Sequence, residues 1–124
     1  MSGLSPADAA AVTDQLGRPV RGAVAVAHRC PCGAPDVVTT SPTLPDGTPF
    51  PTVYYLTCPR AASAIGTLEG SGLMREMEER LAVDGELAAD YRAAHEAYLD
   101  DRARLGRVDQ IDGISAGGMP DRVK

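Results

Sequence analysis

The residues best equipped for chemistry in this chain are its three cysteines, Cys30 and Cys32 in HRCPCGAPDVV and Cys58 in VYYLTCPR. Thiolates are the natural ligands of zinc and of iron–sulfur clusters. Cys30 and Cys32 are separated by one residue, tighter than the about two to four of zinc knuckles, so two sulfurs on one ion require a bend between them. Pro31 and Gly33 supply residues that bend a chain. Cys58 joins the pair if the strands that end near Cys30 and Cys58 are neighbours, and His28 or His95 is then the candidate further ligand.

Two other uses of these thiols stay open. Cysteine is among the most buried residue types, and all three could be small core hydrophobes. The third use is catalysis at Cys58. With Pro59 as the first helical residue, Cys58 occupies a helix N-terminus, where the dipole and free N–H groups stabilise a thiolate. His28 or His95 would serve as base and Arg60 as an anion contact, with a plain capping role at Cys58 or Thr57 as the alternative.

Beyond the thiols, Phe50 and the Tyr54/Tyr55 pair flank a rigid proline-rich loop, where an exposed aromatic is a cheap recognition element or a residue folded back on the core. The glycine-rich GISAGGMPDR could cradle a phosphate through backbone N–H groups with Arg122 adding charge. It lacks the Lys-Ser/Thr that completes a P-loop. Glu76, Glu78, Glu79, Asp84, Glu86 and Asp90 spread around two helices as solvated faces do.

Positioning these groups falls to a small α+β domain spanning residues 1–124. Ser5 caps and Pro6 opens a helix that Gly17 ends, which accounts for residues 1–17. Residues 18–58 hold the sheet: Val20 to His28, with Val24 and Val26 on one face, then Val37–Thr40, then Thr52–Thr57. SPTLPDGTPFP, with an Asp46-Gly47 turn signal, is the hairpin loop between the second and third strands. The result is a mainly antiparallel sheet of about three strands that helices must cover. Residues 59–105 are helical: Pro59 to about Glu69, then near Gly72 to Val83 with Leu73, Met77 and Leu81 as its apolar stripe. The longest helix runs about 86–105, with Leu87, Tyr91, Ala94, Tyr98 and Leu105 as its stripe. Residues 106–124 read as an irregular tail. With one Phe and no Trp among its 124 residues, the core is expected to consist of Val, Leu, Ala and Tyr.

The net charge of −5 sums 12 basic and 17 acidic residues, and the basic ones are scattered. There is no electrostatic footprint for nucleic acid or an anionic membrane. The longest apolar run, Ala23 to Ala27, falls far below the roughly 20 residues that span a bilayer. The N-terminus does not read as a signal peptide. A cytoplasmic protein with reduced thiols is the expectation.

The run from His28 to Arg60, with CPCGAPDVV and DGTPFPTVYYLTCP, together with LEGSGLMREMEERL, YRAAHEAYLDDR and GISAGGMPDRVK, resembles the Domain of Unknown Function 501 family, in an actinobacterial-looking version. The resemblance covers nearly the whole chain after about Arg18. It implies no established activity, substrate or cofactor. It does imply a Cys-x-His pair and a helical tail past the position of Lys124, so the chain is expected to be truncated there and to lack two ligands. Relatives carry Cys-Pro-aromatic-Gly where this chain has Cys30 to Gly33, which weakens Cys32 as an obligatory ligand. Family members typically lie beside a septum-formation initiator and an exopolyphosphatase-like protein, implying a partner linked to cell division or polyphosphate metabolism. The expected function is a cytoplasmic accessory or binding protein with a cysteine metal site for zinc or an iron–sulfur cluster. The alternatives are an enzyme with Cys58 as nucleophile, or a protein-interaction module with structural cysteines.

Overall fold

The computed structural model describes residues 3–115. Its order is α1 (Pro6–Leu16), β1 (Ala23–Arg29), β2 (Pro35–Thr40), β3 (Tyr54–Leu56), α2 (Pro59–Glu69), α3 (Leu73–Val83), α4 (Gly85–Leu105) and a 3₁₀ turn at Asp109–Ile111. The strands form one antiparallel sheet in the order β1-β2-β3. The α+β architecture is the one the periodicities and turn signals imply.

Local chemistry explains the helix boundaries. Ser5 accepts a hydrogen bond from the Asp8 N–H at the start of α1, and Gly17 ends the helix in the left-handed conformation. Asp84 caps α4 by accepting from the Leu87 N–H. Strand β1 begins at Ala23 rather than Val20, because Gly22 sits at φ 73° and turns the chain. Val24 and Val26 are half-buried while Ala25 and Ala27 are exposed, the alternation of a strand with one covered face. The ladder extends past the short β3: the Thr40 N–H donates to the Val53 carbonyl and the Thr57 N–H to that of Asp36.

The core is narrower than composition suggests. Val12, Val38, Val53, Leu81 and Ile111 are its buried aliphatic side chains, and Pro35 and Pro42 are buried as well. No alanine or tyrosine is buried among the described residues, which corrects the expectation of an Ala- and Tyr-containing core. The tyrosines stay partly exposed because their hydroxyls reach polar partners: Tyr98 accepts from the Val53 N–H at 2.6 Å, and Tyr54 donates to Asp101 at 2.5 Å.

Helix α1 packs on β2, and α3 packs on both α2 and α4. The apolar stripes of α3 and α4 are only partly covered. Leu81 is buried, but Met77 is 46% exposed; Leu105 is 41% exposed and Ala94 also faces solvent. The one buried residue of α4 is Arg102. Its guanidinium donates to the carbonyls of Pro51 (2.9 Å), Ile111 (2.7 Å) and Ile114, fastening the segment after α4 to the loop before β3. No helix among the described residues is long and apolar enough to cross a membrane.

Candidate functional site

The hairpin joining β1 to β2 carries two of the three thiols in its turn. The Gly33 N–H donates to the Cys30 carbonyl at 2.8 Å and the Cys30 N–H to that of Ala34 at 2.9 Å, with Gly33 at φ 93°. This is a three-residue hairpin loop closed by a left-handed glycine. Pro31 sets the backbone angle at its first corner and Gly33 takes the position a side chain would strain. The bend that two sulfurs on one ion would require is therefore present.

The same turn recurs once. In the loop between β2 and β3, the Gly47 N–H donates to the Leu44 carbonyl at 2.8 Å and the Leu44 N–H to that of Thr48 at 2.9 Å, with Gly47 at φ 89°. Cys30-Pro31-Cys32-Gly33 and Leu44-Pro45-Asp46-Gly47 thus share a backbone. The thiol turn is a stable local structure that needs no ligand to form it.

Within it the two cysteines interact. The Cys32 N–H donates to Cys30 Sγ at 3.4 Å. The Cys30 thiol donates to Cys32 and is held above its ordinary pKa by that bond. Cys32 receives the bond, faces the Ala34 N–H as well, and is held below its ordinary value. Cys32 is exposed and Cys30 half-buried. Cys32 is accordingly the more accessible of the two and the more readily ionised.

Three contacts brace the turn. Arg29 donates to both Asp8 carboxylate oxygens, at 3.0 and 2.7 Å, and to the Gly33 carbonyl at 3.1 Å, tying α1 to the hairpin tip. Gln15 of α1 donates to the Pro35 carbonyl at 2.6 Å. His28 Nδ1 lies 2.8 and 3.0 Å from the two carboxylate oxygens of Asp36. A carboxylate at Nδ1 favours the tautomer that leaves Nε2 as the free nitrogen.

Cys58 lies at the same end of the sheet, since the Thr57 N–H pairs with the Asp36 carbonyl next to the turn. It is the N-cap of α2, although no side-chain hydrogen bond caps that helix. Its charge is close enough to oppose ionisation of Cys30. Next to it, the Thr57 hydroxyl is buried without a partner among the described residues. No three His, Cys, Asp or Glu side chains among the described residues converge as a metal centre would require. The structure brings Cys30 and Cys32 into contact and leaves Cys58 as a neighbour.

The other candidates lie elsewhere. His95 shares a 2.8 Å hydrogen bond between Nδ1 and the Ser115 hydroxyl. Phe50 folds back edge-on to Tyr55, ring centroids 6.3 Å apart. It lines a cleft of about 150 Å³ together with Leu44, Arg18 and Arg21. Tyr54 stacks edge-on against Tyr98 at 5.8 Å. A second cleft of about 110 Å³ adjoins Arg102 and Arg107. No cysteine lines either cleft. Arg122 and the glycine-rich GISAGGMPDR beyond Ser115 lie outside the described residues.

Sequence reasoning missed Arg29 and Asp36 as the groups that brace the site. Their signal is short-range, a charged residue one position before the thiol turn and another three after it, and only the strand register reveals what they touch. A family model described as "Protein of unknown function (DUF501)" matches residues 26–124, from the middle of β1 onward. No curated protein matches, and no solved structure does.

Proposed function

The chain belongs to the DUF501 family of proteins of unknown function, and from that premise we propose that it is a cytoplasmic accessory protein that binds a thiophilic metal ion at its hairpin turn. Cys30 and Cys32 are the ligands. The observation that carries this reading is a preformed turn that holds both cysteines, with Cys30 Sγ accepting from the Cys32 N–H. Two thiolates suit a soft ion of low coordination number such as Cu(I). Zinc or an iron–sulfur cluster asks for four ligands, and would have to draw in Cys58 and a further group such as His28 Nε2.

The test is an anaerobic titration of the reduced protein with Cu(I) and, separately, Zn(II), read by thiolate-to-metal absorption and by competition with a chelator. One equivalent of Cu(I) is expected. Affinity should fall at least about tenfold in Cys30→Ser and in Cys32→Ser, the scale of a lost ligand, and less in Cys58→Ser. Equal affinity in wild type and both turn variants sinks the proposal.

A second reading, the protein-interaction module, is favoured by the apolar side chains of α2 and α3 that face solvent: Ile65, Leu68, Met74 and Met77. It is compatible with the first, since an accessory protein needs a surface for its partner. The partner we propose is one linked to cell division or polyphosphate metabolism.

A further inference from the structure

The two sulfurs of the turn are placed for a reaction that needs no metal. We propose that Cys30 and Cys32 are a redox pair, which closes a disulfide across the turn by exchange with a small-molecule disulfide such as oxidised glutathione. The inference concerns the same atoms as the metal site but stands without the ion.

Chain geometry permits the bond. Two residues one apart are joined by two spans of about 3.8 Å, and folding at a tight turn brings their Cα atoms to roughly 5.5 Å, inside the about 4.4–6.8 Å range of disulfides. The Gly33 N–H to Cys30 carbonyl bond and the Arg29 contact to the Gly33 carbonyl hold the chain in that fold. The Cys30 sulfur already turns toward Cys32, accepting from its backbone N–H at 3.4 Å. Both ends of the bond lie in the turn between β1 and β2.

The two thiols divide the work by exposure. Cys32 is exposed and Cys30 half-buried, the arrangement of an attacking thiol beside a resolving one. Cys32 loses its proton and its thiolate attacks one sulfur of the external disulfide. A Cys32 mixed disulfide forms as one external thiolate leaves. Cys30 then loses its proton and attacks the Cys32 sulfur, expelling the second external thiolate and forming the Cys30–Cys32 bond. Two protein thiols are oxidised, one disulfide is reduced to two thiols, and the two protons released by the protein go to the two leaving thiolates.

Cys58 plays no part in the exchange. It sits on the far side of β2, after β3, and the hydrogen-bonded partner of Cys30 is Cys32. Closing the turn also removes both thiolates from metal binding, so on the proposed function the pair would hold the ion only when reduced.

The test uses reduced full-length protein in oxidised/reduced glutathione buffers with excess chelator, quenched by alkylation and read by peptide mass spectrometry. Wild type and Cys58→Ser should lose two hydrogens between Cys30 and Cys32 and carry no lasting glutathione. Cys30→Ser should accumulate one glutathione on Cys32, and Cys32→Ser should react at least several-fold more slowly. A stable mixed disulfide on the wild-type turn, a Cys58 linkage, or equal rates for Cys30 and Cys32 overturns the proposal. The chelator keeps this outcome independent of the metal titration, which is run in reductant.

Discussion

At the scale of single residues, the character of the site rests on Gly33 as much as on the sulfurs. Gly33 and Gly47 hold the same left-handed place in twin turns, and a Cβ at either would meet nothing within 4 Å. The cost of alanine there is therefore backbone strain alone, roughly 1 kcal/mol. Gly33→Ala and Gly47→Ala are expected to lower stability in urea by similar amounts, while only Gly33→Ala slows closure of the Cys30–Cys32 disulfide. Loss of redox behaviour in both variants would mean that general stability, rather than the turn, governs the thiols. Pro31 and Gly33 announce the bend in the sequence. The hydrogen bonds that rank Cys32 as the readier thiolate do not appear there, because they depend on which N–H groups the folded turn aims at each sulfur.

At the scale of elements, capping made the helices legible and burial made the strands and stripes less so. Ser5-Pro6 and Pro59 act within one turn of chain, so α1 and α2 begin where the sequence places them. Strand β1 starts three residues late, because a left-handed Gly22 interrupts an otherwise apolar run. The α4 stripe is a non-local matter: helical spacing marks Leu105 as a core residue, yet tertiary packing buries Arg102 in its place, at 5% exposure. Arg102 has three carbonyl partners from two separate segments, and removing it would strand them. Arg102→Met should cost about 3 kcal/mol in denaturant unfolding, and Arg102→Lys most of that, since an ammonium lacks the planar fork. A loss below about 1 kcal/mol in Arg102→Met would show that water replaces the guanidinium. The bond between His95 and Ser115 spans twenty positions, and no periodicity foretells it.

At the scale of the molecule, stability is unevenly spread. The sheet, α1 and the start of the segment after α4 contain Val12, Val38, Val53 and Ile111, whereas α2 buries no residue and α3 only Leu81. Amide exchange follows local burial. In native-state hydrogen exchange, α2 should lose protection first and β2 last, by at least two orders of magnitude in rate, and a partner seated on Ile65, Leu68 and Met77 should selectively slow α2. Uniform protection across α2 and β2 would contradict this. The two fastenings at opposite ends of the chain also answer to different conditions. Arg29 holds the thiol turn through Asp8, whose carboxyl the Arg29 hydrogen bonds keep below its ordinary pKa. That contribution is present above the unfolded pKa and is lost as pH falls through the folded one, and salt screens it. Arg102 is held by carbonyls that never titrate, in a buried setting that ions do not reach. Acid or brine would therefore weaken the Arg29–Asp8 tie between α1 and the thiol turn while leaving the Arg102 tie unchanged, giving this small protein one weather-sensitive fastening and one indifferent one.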